Sequence, residues 1–208
     1  MSDLTGIDNA AFFKLSYGLF ILTAKDGDKD NGCIINTVSQ MTDIPKRISL
    51  TVNKNNFTHD MILKTGIFNV SVLGVETPFS VFQQFGFQSG RTVDKFAGAQ
   101  EKKRSPNGIL YEPRYANSYI SGKIISTSDY DTHTLVIADV TEAAVLNAVQ
   151  SVTYQYYFDH IKPKPPVESS KKKGYICKIC GYVYEGDVLP PDFVCPICKH
   201  GAADFEKL

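Results

Sequence analysis

Tyr175-Ile-Cys177-Lys-Ile-Cys180-Gly181 and Phe193-Val-Cys195-Pro-Ile-Cys198 carry two Cys-x-x-Cys knuckles separated by fourteen residues. That spacing can set four thiolates at the corners of one tetrahedron, a geometry that holds Zn²⁺ or iron. The choice matters because zinc has no redox chemistry and iron does. Residues 174–208 are too few to bury a self-sufficient apolar core, so a metal is expected to staple them and to couple folding to metal binding. Tyr175, Tyr182, Tyr184, Phe193 and Phe205 supply an aromatic shell. Glu185, Asp187, Asp192, Asp204 and Glu206 outnumber Lys178, Lys199 and Lys207. A zinc ribbon that grips nucleic acid would carry a basic face instead.

Upstream of the knuckles, residues 159–174 hold three prolines, two serines and five lysines and almost nothing to bury. This composition predicts a solvated, partly extended tether spanning about 20–24 Å as a flexible coil, and more with its prolines. The lysine run could also meet an acidic partner. The chain thus divides into residues 1–158, a linker over 159–174 and a small module over 175–208. At 208 residues it has room for one real core plus that appendage. Net charge is zero, which leaves no global field to attract nucleic acid or anionic lipid. No apolar run approaches the roughly 18 residues that span a membrane, and Met1-Ser2-Asp3-Leu4 lacks the build of a signal peptide. The chain reads as cytoplasmic. In a reducing cytosol, four of five cysteines clustered after residue 174 argue for metal rather than disulfides. The fifth, Cys33, reads as a small apolar core residue.

The first 158 residues read mainly as strand. Gly18–Ala24 is a short apolar run closed by Asp26-Gly27 and Asn31-Gly32 turn signals. Arg47–Asn53 and Ile67–Leu73 alternate with period two, and Tyr119–Ile125 and Thr134–Val140 are further apolar runs. Two helices are expected. One has Thr58 as N-cap and stops at Gly66; the other has Thr77 as N-cap with Pro78 in its first turn and ends by Gly86. Many short strands with few helices predict a mainly β, closed or split barrel. Neither a Rossmann Gly-x-Gly-x-x-Gly nor a P-loop occurs.

Polar side chains gather in two stretches of this region. Asn36, Thr37, Ser39, Gln40 and Thr42 offer hydroxyls and amides suited to phosphate oxygens or to the polar edge of a heteroaromatic ring. Lys54, between Asn53 and Asn56, offers a point charge for a phosphate. Each also has a plainer reading, as a turn residue or a solvated lysine. His59 could relay a proton, but a helix-start histidine satisfied by backbone is the plainer role.

The Tyr175-x-Cys177-x-x-Cys180-Gly181-Tyr182-x-Tyr184 and Pro191-Asp192-Phe193-x-Cys195-Pro196-x-Cys198 patterns resemble the rubredoxins. The segment between the knuckles is shorter than in free-standing members, and Lys199 stands where many have glycine. The resemblance implies that Cys177, Cys180, Cys195 and Cys198 hold one iron that exchanges single electrons. Asn36-Thr37-Val38-Ser39-Gln40-x-Thr42, Asn53-Lys54-x-Asn56-x-Thr58-His59, Phe68–Leu73 and Ser89-Gly90-Arg91-x-x-Asp94-Lys95-Phe96 resemble the flavin reductase-like, FMN-binding split barrels, which include flavoredoxins. That resemblance covers roughly residues 5–155. It implies that the first two stretches wrap FMN, that the Ser89-Gly90-Arg91 loop lies near the flavin, and that the chain is a homodimer. Together the halves resemble the high-molecular-weight rubredoxins, NAD(P)H:rubredoxin oxidoreductases whose usual acceptor is a flavodiiron protein that reduces nitric oxide or dioxygen. The rival readings are a pure electron carrier without a nicotinamide site and a flavin domain with a structural zinc ribbon.

Overall fold

The computed structural model describes residues 9–163, 174–178, 182–195 and 200–208. The alternation in Arg47–Asn53 is realised directly. Ile48, Leu50 and Val52 are buried while the residues between them are half-exposed, the pattern of a strand with one face on a core. This strand (β4, Arg47–Asn53) belongs to a seven-stranded antiparallel sheet with β1 (Phe20–Asp26), β2 (Lys29–Ile35), β3 (Val38–Thr42), β5 (Ile67–Leu73), β8 (Ala116–Tyr130) and β9 (His133–Val145). The order across the sheet is β2-β1-β5-β8-β9-β4-β3. Its two outermost strands, β2 and β3, are consecutive in the chain and joined only by Asn36 and Thr37. Strands at opposite edges can be that close only if the sheet curls on itself, which gives a barrel split between β2 and β3.

The interior confirms the curl. Leu22, Cys33, Leu50, Val70, Val136 and Ala138, from strands all around the sheet, pack in one buried cluster with Phe68. One end is plugged by α1 (Phe57–Thr65), whose Met61 and Ile62 enter the same cluster. Burying a side chain of this size contributes about 1.5–3 kcal/mol, so this cluster is the main stabilising element of the barrel. Gly122 of β8 is required by close approach, because a Cβ there would sit 2.4 Å from the Phe68 ring. A second cluster lies outside the barrel. There α2 (Phe79–Gly86) lays Val81, Phe82 and Phe85 against Ile21, Leu73, Phe96, Leu110 and Tyr157. Two two-residue strands, β6 (Lys103–Arg104) and β7 (Leu110–Tyr111), cross beside it.

The helix starts differ from the expected ones. The N-cap of α1 is Asn56, and Thr58 lies inside the helix with no exposed surface. Gly66 does end the helix, in the left-handed conformation (φ 74°) that glycine adopts at little cost. The N-cap of α2 is Pro78, while the Thr77 hydroxyl donates to the Gly74 carbonyl. Val38–Thr42, expected among turns, is a strand. Its side chains are exposed apart from half-buried Val38, so it has none of the alternation that betrays a half-buried strand. Helical turns Tyr154–Tyr156 and Tyr157–Ile161 close the large domain, and Tyr157, Phe158 and Ile161 still pack on the second cluster. Packing on the barrel side thus reaches beyond Asp159, into the segment that composition alone assigns to the tether. Among the described residues no helix is long and apolar enough to cross a membrane.

After the tether, β10 (Tyr175–Cys177) pairs with β11 (Val183–Tyr184) on one side and β12 (Phe205–Lys207) on the other. The three strands are short, and Cys177, Cys195 and Phe205 are the buried residues that pack together there, covered by Tyr175, Tyr182, Tyr184, Leu189 and Phe193.

Candidate flavin and metal sites

In the small module, Cys177 is 1% and Cys195 0% exposed. Backbone bonds fix both: Cys177 N–H donates to Tyr182 O, and Cys195 N–H to His200 O, each at 2.8 Å. Phe193 packs against Tyr184 with centroids 4.7 Å apart and against Phe205 at 5.3 Å, so the expected aromatic shell is in place. Two buried thiols at the hub of a module with this little other core fit a four-thiolate metal site, because metal ligation supplies the missing stabilisation. Cys180, Cys198 and Lys199 lie outside the described residues.

In the barrel, three of the expected cofactor residues belong to one polar chain. Lys54 lies 3.5 Å from Asp129. Thr134 donates to the Asp129 carboxylate at 2.6 Å, and its hydroxyl lies 2.9 Å from His59 Nε2. His59 Nδ1 meets Asp60 Oδ1 at 3.1 Å, and Arg91 donates to Asp60 Oδ2 at 2.6 Å. The hydrogen bond with His59 first, and Arg91 second, hold the Asp60 carboxyl below the ordinary carboxylate range. The Thr134 hydroxyl does the same to Asp129. His59 is therefore satisfied by side chains rather than by backbone. It couples the β8–β9 hairpin tip to α1, and through Asp60 to the loop that carries Arg91.

Asn53 shapes the turn into α1. Its side-chain oxygen accepts from Asn55 N–H, and its carbonyl from Asn56 N–H. Thr37 is tied to β4, its hydroxyl donating to Thr51 O at 2.9 Å and accepting from Thr51 Oγ1 at 2.7 Å. Asn36 beside it is half-buried. Ser39, Gln40 and Thr42 are exposed along β3, and the register runs Val38↔Leu50 to Thr42↔Arg47. Thr42 thus sits at the opposite end of β4 from Asn53, about 15–20 Å away along the strand. The first polar stretch therefore starts at Asn36 and Thr37, beside the Thr51–Asn53 end of β4, and runs along β3 to Thr42 at the other end of that strand.

Arg91 and Lys29 both lie over the Phe57 ring, 4.9 and 4.7 Å from its centroid. A cationic rim thus stands at the start of α1, where helix N–H groups also favour an anion. Thr58 and Gly90 are buried. Asn31 Nδ2 donates to the Thr58 hydroxyl at 2.9 Å, and a Cβ at Gly90 would lie 2.0 Å from Asn31 Oδ1. Lys95, 4% exposed, donates to the carbonyls of Gly32 and Phe85 at 2.9 Å each. Burial pulls its pKa below that of an ordinary lysine, and it pushes the Cys33 thiol up. Cys33 is thus the inert core residue its neighbours implied. Asn31 and Asp60 act through residues distant in the chain, which no local pattern singles out, whereas Lys95 stands in the Asp94-Lys95-Phe96 stretch that carries the resemblance.

A split barrel with a cationic rim, followed by a cysteine-centred module, defines a two-domain redox protein. Residues 12–164 match the flavin reductase like domain and residues 175–206 the rubrerythrin, rubredoxin-like domain. The chain belongs to the flavin reductase like family, in its form extended by a rubredoxin-like domain, the arrangement of the high-molecular-weight rubredoxins. High molecular weight rubredoxin of Moorella thermoacetica is 39% identical over 97% of this chain and 100% of its own length. Ferric-chelate reductase (NAD(P)H) of Archaeoglobus fulgidus is 37% identical over 77% of this chain and 94% of its own. Among solved structures, an FMN-binding protein from Thermus thermophilus has a TM-score of 0.61 at 16% identity, covering 70% of this chain and 79% of that one. Flavoredoxin from Methanosarcina acetivorans has a TM-score of 0.57 at 17% identity, covering 70% and 74%. These two likenesses concern the fold. The cofactors of the paired domains are a flavin, FMN, and one iron, and the class is an electron-transferring oxidoreductase.

Proposed function

We propose that the chain is an NAD(P)H:rubredoxin oxidoreductase that moves electrons from a nicotinamide to an iron held on the same polypeptide. From there they pass to an external acceptor, of which a flavodiiron protein reducing nitric oxide or dioxygen is the first candidate. The observation that carries this reading is the joining of a flavin reductase-like barrel to a module whose buried hub is Cys177 and Cys195. When bound, the flavin supplies the exchange between a two-electron hydride donor and a one-electron acceptor, and the iron supplies that acceptor.

The chain's own residues divide the work. Arg91, Lys54 and the N–H groups at the start of α1 would take the FMN phosphate, with Asn53, Asn56 and Ser89 beside them. Asn36, Thr37, Val38, Ser39, Gln40 and Thr42 would line the rest of the ligand along β3. Thr58, His59 and Gly90 would hold these groups in place from below. Cys177, Cys180, Cys195 and Cys198 would hold the iron, with the aromatic shell excluding water from the sulfurs. The domains would divide near residues 158 and 174, with the helical turn Tyr157–Ile161 still packed on the barrel, and the tether would keep the module at high effective concentration near the flavin. A second copy covering the exposed β3 edge would make a homodimer, consistent with exposed Met41 and Ile44 there.

Anaerobic titration tests the reading. FMN and one iron together take three electrons, so reduction should end at about 1.5 equivalents of NADH or NADPH per chain. Protein from its native source should contain iron. Flavin that stays oxidised with both nicotinamides would leave a pure carrier, and a colourless zinc-only protein would remove the relay. The likeness to the ferric-chelate reductase supports a second reading, in which an external ferric acceptor is reduced at the barrel itself. A Cys195→Ala variant that reduces such an acceptor as fast as the intact chain would favour it.

A further inference from the structure

Asn31 is 1% exposed, and among the described residues its Oδ1 has no hydrogen-bond partner. An amide oxygen buried without a partner is costly, so the fold must hold this side chain where it is. What it faces is Gly90, whose backbone lies against the amide so tightly that no side chain fits. The next residue of β2, Gly32, offers its carbonyl to the Lys95 ammonium. Two consecutive residues of one strand therefore meet both ends of the Gly90–Lys95 segment, Asn31 by close packing against Gly90 and Gly32 by a hydrogen bond from Lys95. Between those ends the loop winds on Ser89, whose carbonyl accepts from Thr92 N–H and Val93 N–H at 3.1 Å each. Arg91 projects from this turn toward Asp60 and Phe57. Asn31 also holds Thr58 of α1, so the same side chain fixes the helix start against the loop.

We propose that Asn31 and Lys95 are positioning residues that lock the Ser89–Lys95 loop and the first turn of α1 into one rigid seat for the flavin phosphate. This rests on the cofactor placement given above. Lysine suits the far anchor because an ammonium satisfies two buried carbonyls at once, at the desolvation cost its lowered pKa reflects. Glycine is imposed at the near anchor. The seat acts on the phosphate only, through Arg91 and the α1 N–H groups, and leaves the β3 edge untouched.

The test compares apo-protein affinities for FMN and riboflavin, followed by flavin fluorescence, in wild type, Asn31→Ala and Lys95→Met. Trypsin cleavage after Arg91, located by mass spectrometry, is measured alongside. Wild type should prefer FMN. Each variant should lose about tenfold of that preference with riboflavin affinity unchanged, since a charge-assisted contact is at stake. Cleavage after Arg91 should accelerate about tenfold as the loop is freed. Unchanged preference and unchanged cleavage in both variants would overturn the proposal. So would FMN and riboflavin affinities falling together, which marks a general structural defect. Should Asn31→Ala fail to fold, Lys95→Met, close in shape to the native side chain, decides alone. A wild type that does not prefer FMN would instead overturn the cofactor placement, while the trypsin series still reports whether the seat exists.

Discussion

The barrel and the cysteine module solve the problem of staying folded in opposite ways. The barrel interior holds fourteen buried residues drawn from strands all around the sheet and from α1. The module holds three among its described residues, two of them cysteines. A core of the first kind survives the loss of any one group, whereas one of the second kind has little left when its metal goes. The difference teaches where the chain can be broken without consequence for the other half.

The largest effect should follow loss of the metal. Structural metal sites of this ligand type contribute on the order of 10 kcal/mol. Cys195→Ala should therefore leave residues 174–208 exchanging amide hydrogen at unfolded rates while the barrel strands keep their protection. Hydrogen exchange read by mass spectrometry checks this, and a module that stays protected would break the comparison. Next comes Phe68→Ala, which empties the middle of the barrel and should cost about 3–5 kcal/mol in urea unfolding. Absorbance of the iron site in the folded protein should not change. Smaller again is Asn69→Ala. Asn69 is fully buried, accepts from Asn107 and Ser121, and donates to the Ser105 hydroxyl and to Ile109 O. Removing it strands those groups and should cost about 2 kcal/mol by the same measurement, with β6 and β7 losing exchange protection first.

The smallest effect concerns the cationic rim. Asp60 competes with any anion for Arg91, so Asp60→Asn should raise FMN affinity about threefold, read by fluorescence titration. Because the Asp60 pKa is depressed in the folded protein, its pairing is complete above about pH 4 and is lost as pH falls through the lowered value. The gain from the variant should therefore be full at neutral pH and shrink in acid.

Much of this was legible in the sequence wherever chemistry is local. β4 and β5 fall on the residues their period-two patterns mark: in β4 one face lies on the core, and in β5 both faces are buried, Phe68 and Val70 on the apolar side and Asn69 and Ser71 on the polar one. The buried Cys177 and Cys195 and the aromatic shell around them were equally plain, since their spacing is a property of the chain itself. β3 was hidden because an edge strand exposed on both faces has no alternation. The N-cap of α1 was misplaced because Thr58 looks like a capping residue while its hydroxyl is consumed by Asn31, which sequence does not bring near. The links from Lys54 through His59 to Arg91 depend on Asp129 and Thr134, which lie on strands adjacent in the sheet but more than 70 residues away in the chain. Such contacts exist only once the barrel has closed.

The most direct test is anaerobic mixing of the FMN-loaded, iron-containing protein with NADH and, separately, with NADPH, watching the ferric-thiolate absorbance. We expect that band to bleach with at least one nicotinamide, at a rate independent of protein concentration, and to persist in FMN-free protein. A band that remains while the flavin is fully reduced would contradict transfer between the two halves of the chain.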